Sequence, residues 1–206
     1  MSILNYFSKI EPQLTETKKK TFGVSEDVEE LEPRIAQTWR VFTDGSCLDN
    51  GTRKAVGGIG VFFADDSPDN MSLPWKVSQG SVTNNICELE AVKHALHIII
   101  QKDDFEIDDY IRVYTDSRYL IDCITKWAGQ WARNGWMRKG PGGKKSKVKN
   151  VELIKEIRSL YLKYSVEFIH CKAHTTFQGD SDSKAYQIWY GNKRADELAV
   201  LGSQQN

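Results

Sequence analysis

Two β-rich runs, Trp39–Thr43 and Tyr110–Thr115, each lead into an aspartate (Asp44 and Asp116), and an amphipathic segment, Asn84–Gln101, lies between them. In that segment Leu89, Val92, Leu96 and Ile99 recur at three- and four-residue steps, which places them on one face of a helix. Gly58–Ala64 and Trp75–Val82 read as second and third strands, and turn-rich Ala64–Pro74 between them predicts a hairpin connection. Ser117–Trp127 reads as helical and leads into a short helix and a basic loop. Val151–Tyr164 carries a helical stripe (Val151, Ile154, Ile157, Leu160, Tyr161), Ser165–His170 reads as a fifth strand, and Asn192–Leu201 as a closing helix. Strands first, then alternating helices and strands, predict an α/β fold with a mixed five-stranded sheet flanked by helices and a basic protrusion.

Order is expected from about Trp39. Residues 1–36 read as a disordered tail: Thr15–Lys20 is polar and ends in three lysines, and Ser25–Glu32 holds five acids. Neither stretch has a hydrophobic period whose burial would offset its ordering entropy. Residues 37–206 are expected to form one domain, for which 40% apolar residues suffice. No apolar run approaches the roughly 20 residues of a membrane span, and the first ten residues lack a leader's basic and apolar regions. Cys47, Cys87, Cys123 and Cys171 form no Cys-x-x-Cys pair and read as reduced thiols. An intracellular protein of cytoplasm or nucleus, monomeric and without membrane contact, is the expectation.

Lys plus Arg and Asp plus Glu both total 28, so a global basic signature is absent. The charge is nonetheless segregated. Lys126–Lys149 holds eight basic residues and no acid, interleaved with Trp127, Trp131 and Trp136. Tryptophans at such spacing also serve as helix core, whereas uncompensated cations suit a phosphate backbone.

Four acids attract attention: Asp44 and Asp116 at strand ends, Glu88 one turn into the first helix, and Asp196 at the opening of the last. Side chains at strand ends line the crevice where ligands bind to such sheets. Clustered carboxylates repel one another unless a cation compensates, and hard divalent cations prefer oxygen ligands. Taken singly, each acid also fits a blander role as a strand-ending turn residue, a helix-start acid or a solvated helix residue.

Together the segments Thr43-Asp44-Gly45-Ser46-Cys47, Thr83–Leu89, Thr115-Asp116-Ser117 and Asn192–Ala199 resemble, in order, the four signature segments of type 1 ribonucleases H. The resemblance covers about residues 39–202. It implies the ribonuclease H fold and a magnesium-dependent endonuclease of DNA replication and repair. Such an enzyme hydrolyses the RNA strand of RNA–DNA hybrids to 5′-phosphate and 3′-hydroxyl ends. Asp44, Glu88, Asp116 and Asp196 would hold two Mg²⁺ ions, with Mn²⁺ as an alternative, and Asp44 would bridge both. A family histidine that assists proton transfer or product release matches His174, while His170 falls on the fifth strand in a core or sheet-face role. The 21 residues between His174 and Asp196 exceed the length found in many relatives.

The resemblance also implies a nucleic-acid surface. Tyr119 and Trp127, joined by Trp131, match aromatic DNA-channel positions, and Lys144, Lys145, Lys147 and Lys149 belong to a basic handle that grips DNA phosphates. Thr83, Asn84 and Asn150 match positions that hold DNA backbone. Asn50, Asn84 and Asn85 would read sugar hydroxyls and minor-groove edges, although Asn84 also suits a helix cap. In the tail, Ile3, Tyr6 and Phe7 resemble the sliding-clamp-binding peptide (residues 3–7) of replication proteins, without its usual leading glutamine. Two rival readings are another nuclease on the same fold and a non-catalytic hybrid-binding module.

Overall fold

The computed structural model describes residues 34–76, 82–172 and 175–205. The chain divides into the units Met1–Arg34 and Ile35–Asn206, and the second is described below. The tail and its Ile3, Tyr6 and Phe7 lie outside the described residues, as does His174.

In chain order the strands are β1 (Thr38–Leu48), β2 (Val56–Phe62), β3 (Met71–Trp75), β4 (Tyr110–Thr115), β5 (Met137–Lys139), β6 (Lys145–Lys147) and β7 (Ser165–His170). The helices are α1 (Asn84–Ile100), α2 (Arg118–Asp122), α3 (Ala128–Arg133), α4 (Val151–Lys163) and α5 (Lys184–Gln204), with a π-helical turn, Cys123–Trp127, between α2 and α3. Five strands form one mixed sheet in the order β3-β2-β1-β4-β7. β1 pairs antiparallel with β2 and parallel with β4, which pairs parallel with β7. The expected α/β fold with its five-stranded sheet is therefore present. Among the described residues no helix is long and apolar enough to cross a membrane.

Side chains alternate between the two faces of the sheet. Val41, Ile59, Val61, Ile111 and Val113 join Leu89, Val92, Leu96 and Ile99 of α1 and Ile154 and Ile157 of α4 in the larger core. The opposite face carries a smaller core of Phe42, Phe62, Tyr114, Cys171 and Ala195 beneath α5. There α5 lies almost on the strands. A Cβ on Gly60 would stand 2.1 Å from the Ala195 carbonyl oxygen, and one on Gly58 would stand 1.9 Å from that of Ala199.

Four local expectations need correction. The third strand is Met71–Trp75, not Trp75–Val82. Asn70 closes the turn before it, donating to Ala64 O at 2.7 Å and accepting from Phe63 N at 2.8 Å, so pairing resumes at once. Pro74 fits because β3 is an edge strand. The last helix begins at Lys184 instead of Asn192, capped by Ser183, whose hydroxyl accepts from Tyr186 N at 3.1 Å. Asp196 consequently sits in mid-helix. β1 runs on to Leu48, so Asp44 lies within the strand and not at its end. Finally, the basic stretch is a two-stranded hairpin, β5–β6, and its base is joined by Val148 N donating to Trp136 O at 2.9 Å.

Candidate active site

Parallel pairing aligns Phe42 of β1 with Tyr114 of β4, and their rings stack with centroids 4.7 Å apart. Two residues further along each chain stand Asp44 and Asp116. Beyond Tyr114 and Thr115 strand β4 ends, while β1 keeps pairing with β2 as far as Leu48. The resulting crevice, at the carboxyl end of β4, is where sheets of this kind bind ligands.

Glu88 reaches the same place through a close approach. A Cβ on Gly45 would lie 2.2 Å from Glu88 N, so only glycine lets β1 pass this near the first turn of α1. Thr83 caps that helix, its hydroxyl accepting from Ile86 N at 3.4 Å, and Asn84 Nδ2 donates to Glu88 Oε1 at 3.2 Å. One carboxylate oxygen from each of Asp44, Glu88 and Asp116 lies within 4.8 Å of the others.

This proximity is costly for free anions. Burial pushes the Asp44 carboxyl well above its ordinary range, and the charges of Asp116, Glu88 and Asp196 push it further, against the Gly45 backbone N–H. Glu88 is raised to about 7, first by burial and then by Asp116, with the Ser117 hydroxyl opposing the rise. Its Oε2 is buried without a hydrogen-bond partner. An oxygen-only donor set, crowded and short of protons to accept, is what a hard divalent cation satisfies. Asp196 is not in the set of three. It faces the crevice from α5, where it shares a cavity of about 230 Å³ with Asp116.

The other expected residues fall in three places. Tyr119, Trp127 and Trp131 form a row, with centroid distances of 6.3 and 5.6 Å. Together with Asn85, Arg138 and Lys149 they surround a cavity of about 220 Å³. The Tyr119 hydroxyl is raised above its ordinary range by burial, and Asn150, the left-handed residue (φ 57°) before α4, lies beside it. Trp131 and Trp136 also pack on the larger core, whereas Trp127 is exposed, so the tryptophans divide between the two roles open to them. Lys144, Lys145, Lys147 and Lys149 are exposed on and beside the hairpin. Asn50 is exposed in the β1–β2 turn. His170 is exposed at the end of β7 opposite Thr115, so a core role does not hold for it.

Sequence reasoning missed Asn192, Lys172 and Trp189, which line the cavity beside Asp116 and Asp196. Asn192 stood within a recognised segment, but with the helix start misplaced it read as an opening residue and not as one facing the crevice.

Residues 36–204 match the family model of RNase H. The chain is similar to the Ribonuclease H of Schizosaccharomyces pombe, 32% identical over 189 residues, which spans 92% of this chain and 62% of that protein. It is also similar to the Ribonuclease H of Trichodesmium erythraeum, 32% identical over 167 residues, 80% of this chain and 88% of the relative. Among solved structures, LC9-RNase H1, a type 1 RNase H with the type 2 active-site motif, superposes with a TM-score of 0.56 at 26% identity. That match covers 84% of this chain and 75% of the other.

Proposed function

Because this chain belongs to the ribonuclease H family, we propose that it is a metal-dependent endonuclease that hydrolyses the RNA strand of RNA–DNA hybrids. The observation that carries this reading is the convergence of Asp44, Glu88 and Asp116 within 4.8 Å at the end of β4.

Asp44, Glu88 and Asp116, with Asp196 across the crevice, would hold two divalent cations, Mg²⁺ or in its place Mn²⁺. Bound there, such ions activate water and neutralise charge on the leaving oxygen. Asp44, whose charge interacts with those of Asp116, Glu88 and Asp196, would be the ligand shared by both cations. Asn84 holds Glu88 in position. Water adds to phosphorus, the bond from phosphorus to the 3′ oxygen breaks, and that oxygen takes up a proton. A 5′-phosphate and a 3′-hydroxyl result. His174 is assigned to proton transfer or product release.

The DNA strand would lie over Tyr119, Trp127 and Trp131, with its phosphates against Thr83, Asn84, Asn150 and the lysines of the hairpin. Asn50, Asn84 and Asn85 would contact sugars and minor-groove edges. Residues 1–36 would act as a tether, with Ile3, Tyr6 and Phe7 binding a sliding clamp, in an enzyme of replication and repair in the cytoplasm or nucleus.

The test is cleavage of end-labelled RNA–DNA, RNA–RNA, DNA–DNA and single-ribonucleotide duplexes, with Mg²⁺ or with chelator. Metal-dependent cutting of the hybrid's RNA strand alone, with 5′-phosphate ends, is expected. A folded protein that binds the hybrid and never cuts it, with Mg²⁺ or Mn²⁺, would make the chain a binding module instead.

A further inference from the structure

The cavity of about 230 Å³ between β4 and α5 has a composition that the carboxylates alone do not explain. Besides Asp116 and Asp196, its lining includes Lys172, Asn192, Lys193 and Trp189. Asn192 is 94% buried, being 6% exposed, yet its Oδ1 has no hydrogen-bond partner. A buried amide oxygen left unpaired is expensive, and a donor from a ligand is the natural remedy.

The walls are fixed. Trp189 Nε1 donates to Thr175 O at 2.6 Å. Phe177, Tyr186 and Trp189 pack ring against ring at 5.4 to 5.8 Å, which clasps the loop before α5 onto the extra helical turns at its start. Lys193 lies 5.5 Å over the Trp189 ring and 3.7 Å from Glu197, while Lys172 is exposed beside the end of β7. Two cations and an amide acceptor in one cleft, next to a cluster that would act on a phosphodiester, match the parts of one ribonucleotide: an anionic phosphate and a donating hydroxyl.

We infer that this cavity seats the RNA nucleotide adjoining the cut bond, with Asn192 Oδ1 accepting from its 2′-hydroxyl and Lys172 and Lys193 holding its phosphate. The inference rests on the ribonuclease H reading. It adds a place where this chain distinguishes RNA from DNA by a residue outside the carboxylate set.

Single-turnover cleavage, mapped bond by bond, tests it with hybrids whose RNA strand carries one 2′-deoxy residue or one uncharged methylphosphonate at a known distance from each bond. For the full chain, a 2′-deoxy residue at one position next to the cut should slow cleavage by about three- to tenfold. Asn192→Leu, which conserves volume, should lose that penalty at that position and keep those elsewhere. In the double variant Lys172→Gln, Lys193→Gln, the penalty for a methylphosphonate at the same nucleotide should vanish, and the log–log salt slope of binding should fall by about one to two. The lysine arm stands alone should Asn192→Leu fail to fold. Unchanged penalty profiles in the variants overturn the subsite while leaving hybrid cleavage in place. A full chain that cuts no hybrid overturns the ribonuclease H reading itself.

Discussion

Two buried aspartates show why single residues define the site. Asp109 is fully buried and accepts from Gln37 N at 2.7 Å, Trp39 Nε1 at 2.9 Å and Glu106 N at 3.2 Å, so N–H donors of the protein meet its carboxyl group. Asp44 is almost as buried, and its charge is favoured by the Gly45 N–H while three acids oppose it. Asp109 is an architectural residue that ties β4 to β1, and Asp44 is an incomplete one. Asp44→Asn should therefore stabilise the metal-free protein, because it removes a buried anion and the like-charge repulsion around it. Cleavage should fall by orders of magnitude, and the Mg²⁺-dependent rise in Tm should shrink. Thermal melts with and without Mg²⁺ check this, and a variant that kept near-normal cleavage would remove the cation site from the argument. The pH dependence follows from Glu88, raised from 4.5 to about 7. Between those values the metal-free folded state holds a proton that the unfolded chain has released. Its stabilisation is complete below pH 4.5 and is lost as pH rises through about 7. Melts from pH 5 to 8 should show that decline flattened in Glu88→Gln, and divalent ions should stabilise the wild type more at pH 8 than at pH 5. A wild type and Glu88→Gln with parallel profiles would contradict the assignment.

Among elements, α5 and the β5–β6 hairpin depend on opposite properties, one on the absence of side chains and the other on their charge. Gly58 and Gly60 let the backbone of α5 touch β2, and this contact carries Asp196 to the crevice. Gly60→Val should cost about 3 kcal/mol, since its Cβ would meet a carbonyl oxygen 2.1 Å away that no rotamer change can relieve. Gly129→Ala in α3 is the contrast. Its Cβ would meet only the end of Arg158, at 3.1 Å, and helix propensity favours alanine by about 1 kcal/mol. Denaturant melts of the two variants should differ accordingly, and equal losses would refute the backbone-contact account. The hairpin has exposed lysines on a short two-stranded ladder. Replacing Lys144, Lys145, Lys147 and Lys149 by Gln should weaken hybrid binding and lower its log–log salt slope by about three. Anisotropy titrations across a salt series measure this, and an unaltered slope would detach the hairpin from the nucleic acid.

For the whole molecule, the sequence by itself determined the helix stripes, the β-rich runs and the ordered segments that carry Asp44, Glu88, Asp116 and Asp196. Such features are local, because a 3.6-residue or 2-residue period and a capping residue leave their mark within a few positions. The same locality explains what it misplaced. Pro74 and the turn residues around Asn70 read as a long connection, although pairing with β2 makes Met71–Trp75 an edge strand. The aromatic turns from Lys184 to Tyr190 carry little apolar period of their own and are helical through Ser183 and the packing of Phe177, Tyr186 and Trp189. Only the tertiary structure decided that β1 outruns β4 and that Gly45 admits Glu88. It alone turned Asn192 into the crevice wall beside Asp116 and Asp196. These are outcomes of strand register and backbone approach between segments distant in the chain, and no local period encodes them.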